Sequence, residues 1–321
     1  MRLIKIVSIA FFLAVSCYGA VRLYFALTGG FTEARITHEE LAYNPMWEGR
    51  VLTPHEQAYV KGVLDQPYYY LGKGCQSYVF LSQDGKTVIK FPKYHRFRPQ
   101  EWIDFFTWIP SVKEYQEQKA IERGLQMKKM FRGWLLGFDA LGPETGVIYV
   151  HLNKTPDQPQ PFTFYDKLGI AHTIDLANHE FMLQKRAVML ESALNTWMEE
   201  GNQKKAKEVI DAIVVMVLDE YARGLADNDH ALMQNTGIID DRPIHIDVGQ
   251  FVRNESVKTR SGYVKGLFNK TFRFQEWLEE QYPALALHLK WRLVAIIGQD
   301  YYTMPPYVYR PNFDKLPDTE L

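Results

Sequence analysis

Gly224-Leu225-Ala226-Asp227-Asn228-Asp229-His230-Ala231-Leu232-Met233-Gln234-Asn235, followed by Ile244-His245-Ile246-Asp247-Val248-Gly249, is the stretch on which the reading of this chain turns. Acids and amides gather in a short span, divided by two apolar runs. Thr236-Gly237-Ile238-Ile239, the turn Asp240-Asp241-Arg242-Pro243 and Ile244-His245-Ile246 read as a short hairpin that delivers Asp247. Upstream, Val209, Ile213, Met216, Val217 and Tyr221 recur at helical spacing, so a helix is expected from about Lys204 to Ala222, terminated by Gly224. Turn and capping chemistry alone also favours Asp and Asn in such a loop. It accounts for each residue separately but not for the order of segments along the chain.

Further upstream, Tyr68-Tyr69-Tyr70-Leu71-Gly72-Lys73-Gly74-Cys75-Gln76-Ser77-Tyr78-Val79-Phe80-Leu81 sets β-prone residues on both sides of two glycines. Asp84-Gly85 is a hairpin-turn signal, and Thr87-Val88-Ile89-Lys90-Phe91 makes a third strand carrying a lysine. Taken alone, this is an ordinary hairpin with an exposed lysine. A basic, aromatic connector covers residues 92–99. Ser111 as cap and Glu114 in the reciprocal capping-box position then open a helix to about Phe131. Residues 134–141 and 146–152 read as a hairpin around Gly142-Pro143-Glu144-Thr145, and residues 153–157 as a polar connector. Residues 172–200 suit one or two helices, broken at Gly201-Asn202. Residues 272–278 and 285–297 look like closing helices, with an aromatic, Pro-rich tail after Met304.

In this order the segments resemble the protein-kinase-like superfamily, in its divergent, atypical and small-molecule-kinase-like branches, over about Tyr68 to Ile297. Gly72-Lys73-Gly74-Cys75-Gln76-Ser77-Tyr78-Val79 is similar to the phosphate-covering loop, and Val88-Ile89-Lys90 to the strand lysine. Asp229, Asn235 and Asp247-Val248-Gly249 are similar to the catalytic loop and metal-binding triplet. The resemblance implies an α+β, two-lobed fold: a small antiparallel β lobe, then a helical lobe, after an N-terminal transmembrane or signal helix. It implies ATP and Mg²⁺ as cofactors. Gly72, Gly74 and Ser77 would let backbone N–H groups reach the phosphates. Lys90 would set its charge on the α- and β-phosphates and pair with Glu117, Glu122 being the other acid on that helix. Asp229 would orient the acceptor hydroxyl, with Asp227 the alternative base, and Asn235 with Asp247 would hold the metal. There are departures. Ser77 stands for the third glycine, and Val248 for the Phe of the triplet. Asp229 to Asn235 is six positions, where about five is usual. No Ala-Pro-Glu segment follows Gly249.

The N-terminus is a class of its own. Arg2 and Lys5 precede an apolar run from Ile6 to Leu27, interrupted at Arg22. About 20 such residues span a bilayer as a helix, and the early positive charges favour a cytoplasmic N-terminus. The expectation is a single anchor through residues 4–27, in a bacterial inner membrane. A cleaved signal peptide is the competing reading, since Ala14 and Ser16 are small residues placed as a signal peptidase prefers; a lipoprotein signal ending at Cys17 is a third. The 37 Lys and Arg against 38 Asp and Glu give a net charge of −1, so no basic excess points to nucleic acid. Two cysteines, Cys17 and Cys75, argue against a disulfide scaffold or a Cys-based zinc site.

The expected division is residues 1–30 anchor or signal, 31–66 linker with a short helix capped by Thr53, 67–153 small lobe, 154–303 helical lobe and 304–321 tail. The expected function is ATP/Mg²⁺-dependent phosphoryl transfer to a hydroxyl acceptor, whether protein, lipid or small molecule. The alternative is a pseudokinase that binds nucleotide or a partner at the cell envelope.

Overall fold

The structure, a computed structural model, describes residues 2–38, 41–99 and 101–305. The helices are α1 (Arg2–Thr28), α2 (Pro54–Leu64), α3 (Pro110–Asp139), α4 (Gly142–Thr145), α5 (Leu190–Glu199), α6 (Gln203–Ala222), α7 (Leu232–Asn235), α8 (Arg260–Gln281) and α9 (Pro283–Ile297). The strands are β1 (Tyr68–Lys73), β2 (Ser77–Ser82), β3 (Thr87–Pro92), β4 (Val147–His151), β5 (Pro161–Tyr165), β6 (Ala171–Asp175), β7 (Phe181–Lys185), β8 (Val188–Met189), β9 (Leu225–Asp227), β10 (Thr236–Ile239), β11 (Arg242–His245) and β12 (Phe251–Arg253). The fold class is α+β, as expected. The described residues form two compact units: those up to Gln116 with Tyr149–Gln184, and Glu117–Ile148 with those from Lys185 onward. The chain passes between them within α3, within β4 and at the end of β7.

The first unit is built on a seven-stranded sheet of order β4-β7-β3-β2-β1-β5-β6. β1, β2 and β3 form an antiparallel meander, while β5 joins β1 in parallel and turns back into β6. Its core is aromatic. Phe80, Phe91, Phe162, Phe164 and Phe181 are buried, and Phe31 meets Tyr78, Phe80 and Phe164 edge-on at 5.3–5.5 Å. Thr53 caps α2 in a full capping box with Glu56, as its sequence implied. From Lys5 to Thr28, α1 has a mean hydropathy of 1.9 with none of it buried, so it is long and apolar enough to cross a membrane.

One buried acid in this unit has a measurable consequence. Glu180 is 1% exposed; its Oε2 accepts the Tyr94 hydroxyl at 2.5 Å, and its Oε1 has no partner among the described residues. Burial pushes its carboxyl above the ordinary value, against the pull of the Tyr94 bond. A carboxyl raised by folding costs stability as pH climbs through its folded pKa. Glu180→Gln keeps an acceptor for Tyr94 and removes the charge. Its melting temperature is expected to exceed wild type by a few degrees near pH 8, the gap closing below about pH 4.5, where the wild-type carboxyl is neutral in both states.

The second unit is helical, with α6 central. Val209, Ile210, Ile213, Val214 and Val217 of α6 are buried against Leu194 and Trp197 of α5, Leu267 and Phe274 of α8, and Leu289 of α9. Two small sheets complete it, of order β11-β10-β8 and β12-β9.

The structure corrects three local expectations. Residues 134–139 are the end of the 30-residue α3, and Ser111 lies in its first turn. Met127, Met130, Phe131, Trp134, Leu135 and Phe138 are its buried large side chains, a recurrence of three and four positions that fits a helix and not an alternating strand. Residues 142–145 are a short helix rather than a hairpin turn. Residues 172–189 hold strands β6, β7 and β8, leaving only α5 helical before Gly201. Phe181 to Gln184 are buried at every position, the signature of a strand covered on both faces. The polar connector at 153–157 is accordingly followed by three more strands of the same sheet, and the sheet-bearing unit extends to Gln184. Of the expected tail, residues from 306 onward lie outside the described residues.

Candidate functional site

In the second unit, α6 stops where the chain turns left-handed at Gly224, φ 72°. β9 follows, its Asp227 paired with Phe251 of β12 and Asn228 N–H donating to the Gln250 carbonyl at 3.2 Å. The loop through Asp229 leads into α7, which ends on Asn235. β10 and β11 then form a hairpin closed by Asp240 and Asp241, both at positive φ (48° and 62°), the two-residue turn that matches strand twist. Its register sets Thr236 against His245, and Ile246 N–H donates to the Asn235 carbonyl at 2.8 Å. Asn235 and Asp247 therefore stand at the same, open end of the hairpin. Asp247 is three residues before Gln250, which bonds Asn228. Backbone pairing alone brings the loop, the amide and the acid together.

The side chains differ sharply in freedom. The Asp227 carboxylate is 2% exposed; its Oδ2 accepts the Lys270 ammonium at 2.5 Å and its Oδ1 the Asp229 N–H at 2.9 Å. Lys270 also donates to the Asp229 carbonyl at 2.5 Å. Burial pushes the Asp227 carboxyl up, while Lys270 and His245 pull it back. Asp229 is half-buried, its Oδ1 accepting the Ala231 N–H at 3.0 Å. His230 is held neutral, its pKa brought down to about 4 by burial and the Lys270 charge. His245 Nε2 and Glu220 Oε1 meet at 2.7 Å with almost no exposure, tying β11 to α6.

Asn235 is 7% exposed, and its Nδ2 is buried with no partner among the described residues. Amide O and N exchange by a flip, so the position holds one unsatisfied amide end. Asp247 is half-buried, and among the described residues its Oδ1 accepts only the Gly249 N–H, at 3.2 Å. An open carboxylate beside an unsatisfied amide suits Mg²⁺, which takes one or two protein oxygens and completes its shell with phosphate and water. Among the described residues no group of three or more His, Cys, Asp or Glu forms a cage.

α3 buttresses this end in a way the sequence reading missed. Gly133 and Gly137, one turn apart, lie against the triplet: a Cβ on Gly133 would sit 2.3 Å from the Val248 carbonyl oxygen, and one on Gly137 3.2 Å from the Val248 side chain. Val248 is fully buried there. The available signal was the four-residue glycine spacing inside an apolar run. Gly133→Ala is expected to cost about 1–3 kcal/mol by overpacking against backbone, read by chemical denaturation. Two cations were also missed, Lys270 and the half-buried Lys129 of α3, on which the Asp227 charge acts.

The first unit carries Lys90, Gly72, Gly74 and Ser77. Lys90 is half-buried on β3 opposite Val79 of β2. The register shift in β1 falls between Tyr70 and Gly72, with Leu71 the extra residue, and Gly74 N–H donates to the Ser77 carbonyl at 3.0 Å, closing the turn. Neither glycine has positive φ, and a Cβ on either would meet nothing within 4 Å. The loop's own geometry does not require them. Glu117 is exposed on α3, in the second unit, and Glu122 is bound to Lys119 at 2.5 Å.

No protein-family model and no curated protein matches the sequence. Among solved structures, the chain is similar to the bifunctional kinase-methyltransferase WbdD, with 11% identity and a TM-score of 0.33, covering 70% of this chain and 44% of that one. Monomeric WbdD matches at 12% and 0.32, covering 70% and 45%. The chain thus spans less than half the length of the WbdD chains it matches. A streptomycin–ATP–APH(2″)-IIa ternary complex matches at 12% and 0.24, covering 78% and 92%. At TM-scores this low, the weight of a functional reading falls on the site itself.

Proposed function

We propose that the chain is a kinase-like phosphotransferase that uses ATP with Mg²⁺ to phosphorylate a hydroxyl acceptor, anchored by α1. The observation that carries this is the open end of the β10–β11 hairpin, where Asn235, with an unsatisfied amide end, stands beside Asp247, with a half-free carboxylate. Those two would hold the metal, which when bound neutralises charge on the transferring phosphoryl group. Of the two candidate bases, Asp229 suits the acceptor better. Asp227 is locked to Lys270 and shut from solvent, and serves as the post that fixes the loop. Asp229 is open enough to accept a hydrogen bond from a hydroxyl. Lys90 would grip phosphates, and the loop of Gly72, Gly74 and Ser77 would offer backbone N–H groups. Space is open around both glycines, so another group can approach their backbone.

A thermal-shift titration of the full chain in detergent tests this. Saturation at a hundred times Kd stabilises by about 2.7 kcal/mol, so ATP with Mg²⁺ should raise the melting temperature and ATP with EDTA should not. No shift at millimolar ATP removes the reading. The pseudokinase alternative draws on the extra residue between Asp229 and Asn235; it requires a metal-dependent shift with no γ-phosphoryl turnover.

A further inference from the structure

Four cations crowd the β1–β2 turn of the first unit: Arg35, Lys73, Lys93 and Arg96. Lys93 is at their centre. It is 5% exposed, its ammonium donates to the Gly74 carbonyl, and it lies 4.9 Å from the Tyr78 ring centroid. Burial and the neighbouring charges bring its pKa down to about 8, and the same four cations, together with burial, hold His95 near 4. Among the described residues no carboxylate stands within ion-pair distance of any of the four. A buried cation without a counter-charge is costly, and packing like charges around it adds to the cost. Such a cluster is completed by an anion.

Its position suggests which anion. Lys73 Nζ donates to the Gly29 carbonyl at 2.5 Å and Arg35 Nη1 to the Gly30 carbonyl at 2.7 Å. Those carbonyls lie one and two residues beyond α1. With 27 residues, α1 is about 40 Å long, against about 30 Å of hydrocarbon in a bilayer. With α1 across a membrane, Gly29, Gly30 and the cations bound to them lie at the level of the lipid headgroups. Capping the helix end accounts for one donor each of Lys73 and Arg35, and their charge and that of Lys93 and Arg96 meet no carboxylate among the described residues.

We propose that Arg35, Lys73, Lys93 and Arg96 form a site for the phosphate of an anionic lipid headgroup at the end of α1. The proposal rests on reading α1 as a membrane anchor.

The test uses the full chain in neutral detergent, titrated with dioctanoyl phosphatidylglycerol or dioctanoyl phosphatidylcholine and read by melting temperature. Phosphatidylglycerol should raise it and phosphatidylcholine should not. In Lys73→Gln/Arg96→Gln, both exposed positions that leave buried Lys93 in place, more than half of the phosphatidylglycerol shift should vanish. An equal response to both lipids, or a full phosphatidylglycerol response in the double variant, overturns the site. So does an equal shift with inorganic phosphate that is lost in the same variant, which makes the cluster a soluble-phosphate site. Alkaline carbonate extraction of membranes carrying the unmodified chain separates the two readings. Release of the protein defeats the anchor and the lipid site with it. Retention without a phosphatidylglycerol response defeats the lipid site alone.

Discussion

Asp247→Ala is expected to lower phosphoryl transfer at least about a hundredfold, the scale on which single charge-stabilising groups act in such transition states, and to abolish the Mg²⁺-dependent thermal shift. The same substitution should change the stability of the ligand-free chain by no more than about 1 kcal/mol. The contrast follows from how Asp247 is held. It is half-buried, and among the described residues its carboxylate accepts a single hydrogen bond, from the Gly249 N–H at 3.2 Å. Its neighbour Val248 is fully buried under Gly133 and Gly137, so backbone and packing position the carboxylate without help from the carboxylate itself. Turnover assays and denaturant melts on one preparation check both halves. A variant that keeps its metal-dependent shift, or one that fails to fold, removes Asp247 from the role proposed.

Lys270→Met should act the other way, on stability first. The pair with Asp227 is almost wholly buried, and Lys270 also bonds the Asp229 carbonyl. Removing one partner of a buried pair strands the other and costs about 3–5 kcal/mol. The sign of the pH dependence is fixed. Burial already pushes the Asp227 carboxyl up, and loss of the ammonium raises it further. The deficit is therefore greatest at high pH and shrinks as the pH falls through that raised value, where the carboxyl becomes neutral. Adding Asp227→Asn should recover part of the loss at neutral pH. A loss below about 1 kcal/mol would mean that the pair does not hold the loop.

These two positions mark what the sequence made legible. Asp247 could be found because turn chemistry is local: Gly224, the Asp240-Asp241 turn and the alternation around Ile238 and Ile244 fix the hairpin without reference to anything distant. Lys270 could not, because it reaches Asp227 across 43 residues and looks like any helical lysine. The misread end of α3 failed for a related reason. Trp134-Leu135-Leu136 is a short apolar run that fits strand or helix equally, and Gly133 discourages a helix until the Val248 backbone it accommodates is known. The β5–β6 hairpin was passed over because nothing in residues 153–175 shows that β5 pairs with β1, a long-range parallel contact. The α+β class, by contrast, followed from whole-segment patterns that tolerate such local errors.

Gly29 and Gly30 are all that separates the last residue of α1 from Phe31, whose ring is buried among Tyr78, Phe80 and Phe164. Two extended residues reach about 7 Å, so the leash is shorter than the sheet it holds. With α1 embedded, the sheet-bearing unit cannot swing away to sample the bulk solution. It moves in the plane of the bilayer, and the molecules it meets most often are those that share that plane.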